Sequence, residues 1–158
     1  MLTRNFMFML ANSSGMALDD RPTMVTNING ETSTNLLSFG TGSGSSFPFN
    51  SNYWKNSRFV LGKGTTPAKS SDYALDSEVA LAYDCSILTK KYISDATNDR
   101  INIFGIVSNP ITEPITIKEI GWVVTISNDN TFLLAREVLE EPITIEPGKS
   151  VAINVNLM

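Results

Sequence analysis

The sequence predicts an all-β fold, an antiparallel sandwich or barrel over residues 58–158, with an extended and largely irregular N-terminal arm over residues 1–57. Two observations carry the β assignment. After residue 58 apolar residues recur with a period of two, in short runs punctuated by Pro, Gly and Asn. Outside residues 3–11, no stretch has the 3.6-residue periodicity of an amphipathic helix. The third observation is a change of character: residues 38–52, SFGTGSGSSFPFNSN, are mostly Gly, Ser, Thr and Asn, which have little to bury and resist regular structure.

The chain opens with MLTRNFMFMLANSSGMA. Arg4 followed by an apolar stretch from Phe6 to Ala11 has the order of a signal peptide, but six apolar residues fall short of the roughly 7–15 such a core needs. The stretch reads instead as a short apolar element that packs on its own domain or on a neighbour. The Gly/Ser-rich segment is interrupted by Phe39, Phe47, Phe49, Tyr53 and Trp54, more aromatic residues than a plain linker carries. Together with Phe6 and Phe8 they are the candidate assembly contacts, anchors by which an irregular arm docks on adjacent subunits.

The β pattern begins at RFVLG. In SEVALAYDCSIL, residues 77–88, Val79, Leu81, Tyr83 and Cys85 share a face. RINIFGIVSN sets Ile101, Ile103, Gly105 and Val107 opposite Phe104 and Ile106. ITIKEIGWVVTIS at 115–127 follows, then FLLAREVL at 132–139. SVAINVNL is the cleanest strand, with Val151, Ile153, Val155 and Leu157 inward and Asn154 and Asn156 outward. EPITI occurs twice, at 113–117 and 141–145, each copy placing proline at a strand entry, where its missing N–H is tolerated. EPGKS at 146–150 is a tight turn in which Pro147 sets φ and Gly148 takes a positive one.

Composition excludes several functions. The 158 residues carry a net charge of −4 with scattered basic side chains, which disfavours nucleic acid and anionic membranes. Histidine is absent, which removes the commonest general base and transition-metal ligand. The single cysteine, Cys85, cannot form an internal disulfide and reads as a small buried apolar residue. No catalytic, cofactor-binding or metal-binding constellation emerges. VLGKGTTPAKSSDYAL, residues 60–75, has the vocabulary of a phosphate loop, yet Ser57, Gly64 and Pro67 break both nucleotide-binding patterns, and Thr66 before a proline is steered away from helix. The stretch is expected to be a turn followed by an extended crossing that delivers Tyr73 and Leu75 to the core. Glu119, Glu137, Glu140 and Glu141 are candidate acid–base carboxylates, but their spacing selects no pair. Asp19-Asp20 and Asn128-Asp129-Asn130 lack a calcium-loop pattern and read as turns. Tyr53-Trp54, among Asn50, Asn52 and Asn56, has the residue types that stack on a sugar; packing where the arm enters the domain is the competing reading.

LTRNF, LGKGTTPAKSSDYAL, EPITIKEIGWVV and LLAREVLEEPITIEPGKSVAINVNL, in this order, resemble a family of small tailed-bacteriophage and prophage proteins. The resemblance is strongest from residue 58 onward. It implies an immunoglobulin-like (Ig-like) β-sandwich and a place in a virion, on the capsid, at the head–tail connection or in a tail or fibre. It brings no catalytic residue. The expected partners are copies of the chain and other virion proteins, assembled in the host cytoplasm, with recognition of a host-surface glycan as the alternative.

Overall fold

A computed structural model of the chain describes residues 1–6, 25–33, 57–79, 84–94, 99–127 and 130–157. Eight strands run in the order β1 (Val25–Thr26), β2 (Thr32–Ser33), β3 (Ser57–Gly62), β4 (Asp84–Ser94), β5 (Asp99–Ser108), β6 (Ile115–Ser127), β7 (Asn130–Ile145) and β8 (Ser150–Leu157). They form a small hairpin, β1–β2, and two three-stranded antiparallel sheets ordered β3-β6-β7 and β4-β5-β8. The all-β class is as the sequence predicts. The only helical residues among those described are 4–6, a single turn.

One hydrophobic cluster draws on both large sheets. Phe59, Leu61, Ile120, Trp122, Val124 and Phe132 come from the first, and Ile103, Val107, Ile153, Val155 and Leu157 from the second. The alternation read from the sequence holds closely in β5 and β8, where Ile103 faces Val155 and Gly105 faces Ile153 in register, while Asn154 and Asn156 point to solvent. Side chains opposed in this way across an antiparallel pair are the unit of sheet stabilisation. On the outer face, Asn102 donates to the side-chain oxygens of Asn154 and Asn156 at 2.6 and 3.0 Å.

The two EPITI copies are each other's partners. Ile115 pairs with Ile145, Thr116 with Thr144 and Ile117 with Ile143, and the two threonine hydroxyls meet at 3.1 Å. Ile115, Ile117 and Ile145 are essentially fully buried. Pro114 stands at the strand entry as expected. Pro142, in contrast, lies inside β7, where the register jumps from Ile117–Ile143 to Glu119–Val138. Residues 139–142 are left outside the ladder there, so a residue without an N–H costs no hydrogen bond.

At the next corner the EPGKS turn forms as predicted. Lys149 N–H donates to the Glu146 carbonyl at 3.0 Å, and Gly148 has φ +68°. Asn109, 1% exposed, ties this corner to the strand ends: its amide donates to the carbonyls of Glu113 and Ile145, both at 2.8 Å, and its oxygen accepts from Ile111 N–H.

Parts of the expected arm belong to the body. Ser57, its last residue, opens β3. Leu2 bridges to Ala135, and Thr3 N–H donates to the Leu134 carbonyl at 2.9 Å, so residues 1–3 extend the β3-β6-β7 sheet beyond β7. Phe6 and Val25 are buried in the main cluster. The opposite edge of that sheet is also covered, by a bridge from Glu78 to Gly62 and by the Val79 N–H donating to Leu61 at 2.7 Å.

Candidate functional site

The only buried charged side chains among the described residues, Glu119 and Arg136, meet on the outer face of the β3-β6-β7 sheet. Alternation alone would put Glu119 inside, with Ile115 and Ile117. The register shift after Ile117 reverses the parity, so that Ile120, Trp122 and Val124 point inward and Glu119 points out. Gly62 is its neighbour on β3, and Arg136 lies opposite Gly121 on β7.

Residues 63–79 cross this face as a strap, and Glu119 is the post to which it is tied. One carboxylate oxygen, Oε1, accepts from the N–H of Gly64 at 2.9 Å and of Ser77 at 2.8 Å. The other, Oε2, accepts from Asp76 N–H at 3.2 Å and from Arg136 Nε at 2.7 Å. Arg136 continues outward, donating through Nη1 to Asp72 Oδ2 at 2.8 Å and through Nη2 to the Thr66 carbonyl at 3.1 Å. Asp72 Oδ2 also accepts from Lys69 N–H, and Thr66 Oγ1 donates to Asp76. Burial by itself would lower the pKa of Arg136, but hydrogen bonds and charge attraction from Asp72 and Glu119 outweigh it and raise the pKa.

The glycines of LGKG have their reason here. A Cβ on Gly62 would overlap the Glu119 carboxylate, and one on Gly64 would sit 2.5 Å from both Asp76 Cβ and Glu119 Oε1. The physics is that of a phosphate loop, glycines allowing backbone N–H groups to close on an anion. The anion is the protein's own carboxylate. Glu119 is fully buried, so its four hydrogen bonds fill the cradle and leave it closed to solutes. Beside the clasp, Leu75 packs on Val60, Val123 and Leu133, a small apolar cluster on this same outer face.

The strap also receives the N-terminal segments. Arg4 N–H donates to the Ser70 carbonyl at 2.7 Å. Tyr73 is 44% exposed, a departure from the expected core position, and its ring lies beside Gly30 of the β1–β2 turn. That hairpin is fixed to β7 through Ile28 N–H, which donates to the Thr131 carbonyl at 2.9 Å.

Of the candidate assembly contacts, Phe6 is 5% exposed and packs in its own chain, its ring centroid 6.1 Å from that of Trp122. It therefore offers little surface to a neighbour from this position. Phe8, Phe39, Phe47, Phe49, Tyr53 and Trp54 lie outside the described residues, as do Asp19 and Asp20. The candidate carboxylates are dispersed: Glu119 is sealed in the clasp, Glu137 is half-buried, and Glu140 and Glu141 are exposed at the broken part of the ladder. Cys85 is half-buried against the main cluster, and burial pushes its thiol pKa up, against the lowering effects of the Phe59 backbone and Arg58. Among the described residues no group of three or more metal-ligating side chains is gathered, and no helix is long and apolar enough to cross a membrane.

No protein-family model, curated protein or solved structure matches this chain.

Proposed function

We propose that the chain is a non-enzymatic structural component of a tailed-phage virion, an Ig-like sandwich that assembles through its N-terminal region with copies of itself or with other virion proteins. The observation that carries the assembly part is the way residues 1–6 are held. They join the β7 edge by main-chain pairing, with Thr3, Asn5 and Phe6 as side-chain pegs. Strand addition is a general mode of peptide docking, in which the backbone supplies affinity and alternate side chains supply selectivity. The virion assignment rests on the resemblance of the quoted segments.

Two further observations support the reading. The buried charged groups are consumed in fastening the strap, which suits a rigid building block better than a catalyst. The sandwich part is supported by the core common to both sheets and by the non-consecutive pairs β3–β6 and β5–β8. Ig-like is meant here in the architectural sense. In an Ig constant domain the second strand joins the first, whereas here β4 lies in the sheet opposite β3.

The test is the protein content of purified particles from the host that carries this gene. Mass spectrometry of density-banded, DNA-filled particles is expected to find the chain at a fixed stoichiometry to the major capsid protein. Its absence from intact particles, with the chain present in the lysate, would refute the virion assignment.

A further inference from the structure

The seat of residues 1–6 is built by the rest of the chain, and its contacts extend beyond the backbone ladder. Thr3 Oγ1 donates to the Leu133 carbonyl at 2.6 Å. Asn5 is nearly fully buried; its amide donates to the Thr26 carbonyl at 2.7 Å and its oxygen accepts from Thr26 N–H at 2.9 Å. Arg4 N–H reaches the strap at Ser70, and Phe6 closes over Trp122 in the core. Three separate elements thus form one receptor for a six-residue peptide: the β7 edge, the β1–β2 hairpin and the strap.

The hairpin does not depend on residues 1–6 alone. It is attached to β7 through Ile28 and faces the strap through Tyr73 and Gly30. The hairpin can therefore stay with the body while the hexapeptide is supplied from elsewhere. Residues 7–24 join the two, and a chain of that length reaches roughly 60 Å at full extension. That exceeds the width of a domain of this size, so the number of residues between Phe6 and Val25 is sufficient for the seat of an adjacent copy to be filled.

The geometry points to exchange of residues 1–6 between copies of this chain, each copy's segment lying on the β7 edge of its neighbour. This rests on the assembly reading above and names its contact. Exchange preserves every hydrogen bond of the seat, because donor and acceptor are identical in the two arrangements. What changes is the entropy of chain connection, since Phe6 and the seat it fills belong to one chain or to two. In an assembly the neighbour's segment is held at a raised effective concentration, so the exchanged arrangement competes with the self-seated one.

The experiment uses the full chain in a Cys85→Ser background. One preparation carries Leu2→Cys, a second carries Ala135→Cys, and a third carries both on one chain. The first two are mixed, assembled at high concentration and oxidised, with mass measured by light scattering. The expected result is a covalent heterodimer within the assembled fraction, lost when Phe6→Asp is added to the Leu2→Cys chain. Assembly without any cross-chain bond, while the doubly substituted chain links within itself, would overturn the exchange and leave the assembly reading standing. A chain that stays monomeric at millimolar concentration would overturn the exchange and, with it, assembly with copies of itself, but not assembly with other virion proteins. Should the substitutions disturb the seat, isotope-filtered contacts between Phe6 and Trp122 in a mixture of labelled and unlabelled wild-type chains decide the same question. Contacts between chains support exchange, and contacts confined to one chain refute it.

Discussion

Replacing Glu119 with alanine tests the clasp directly. The substitution removes the acceptor for three strap N–H groups and for Arg136 Nε. It leaves Arg136, itself 3% exposed, with Asp72 and one carbonyl as its remaining partners. Breaking one side of a buried ion pair costs about 3–5 kcal/mol. Each buried donor left unsatisfied adds about 1–3 kcal/mol, although water entering the vacated space recovers much of that for N–H groups near the surface. The expected loss is therefore about 3–5 kcal/mol, or roughly 6–20 °C in Tm for a chain of this length. Urea denaturation of the full chain measures the loss, and trypsin cleavage after Lys63 and Lys69 reports release of the strap. Glu119→Ala together with Arg136→Met is expected to recover part of the stability, since the buried guanidinium that has lost one of its two carboxylates is gone. A single variant within about 0.5 kcal/mol of wild type, with unchanged cleavage at Lys69, would refute the assignment of Glu119 as the fastening of the strap.

Two glycines with positional roles should separate cleanly. Gly148→Ala meets nothing within 4 Å and is expected to cost about 1 kcal/mol for its positive φ, whereas Gly62→Ala collides with a fixed, buried carboxylate and is expected to cost over about 2 kcal/mol by thermal melting. Asn109→Ala orphans the carbonyls of Glu113 and Ile145, and about 2–3 kcal/mol should be lost in the same assay. Asn109→Asp should not rescue it, because a carboxylate supplies no donor. For Cys85, the raised thiol pKa means less thiolate in the folded chain than in the unfolded one at any pH near neutrality. Alkylation at pH 8 is expected to be at least several-fold slower in the folded chain than in urea. By the same linkage, the protonated thiol contributes stability that is complete below the ordinary thiol pKa and fades as pH rises through the raised one.

Much of the fold was legible because its strands follow simple alternation. β5 and β8 have neither bulge nor proline in their mutual pairing, so Val151, Ile153, Val155 and Leu157 declared the inner face directly. The turn at Gly148 was equally plain, since proline and glycine there each have one conformational use. β6 and β7 were harder. Three register shifts divide their ladder, and the first two reverse which face a side chain takes: Glu119 turns outward after Ile117, and Leu134 and Ala135 both face the core. Counting by twos from Ile115 therefore puts Glu119 in the core with the isoleucines, and gives no reason to pair it with Arg136. The glycines around Lys63 read as a turn once the nucleotide-binding patterns fail, and nothing near them says that they close on a carboxylate 55 residues away in the same chain. The duplicated EPITI reads as two strand starts, but only the first copy begins a strand and the second ends β7; that the copies face each other follows from the antiparallel register of a hairpin, which local sequence does not encode.

The clasp also bears on the order in which this molecule folds. Glu119 and Arg136 lie only 17 residues apart on adjoining strands, but their bonds to the strap span 42 to 70 residues. The β6–β7 hairpin is a short-range event, and the strap has nothing to close on until Glu119 and Arg136 are already side by side. Contacts of long sequence separation are generally costly to form early. The tying of residues 63–79 then belongs to the far side of the folding barrier, and weakening it should leave the folding rate nearly unchanged while speeding unfolding. A knot tied last governs how long the folded molecule survives, more than how quickly it forms.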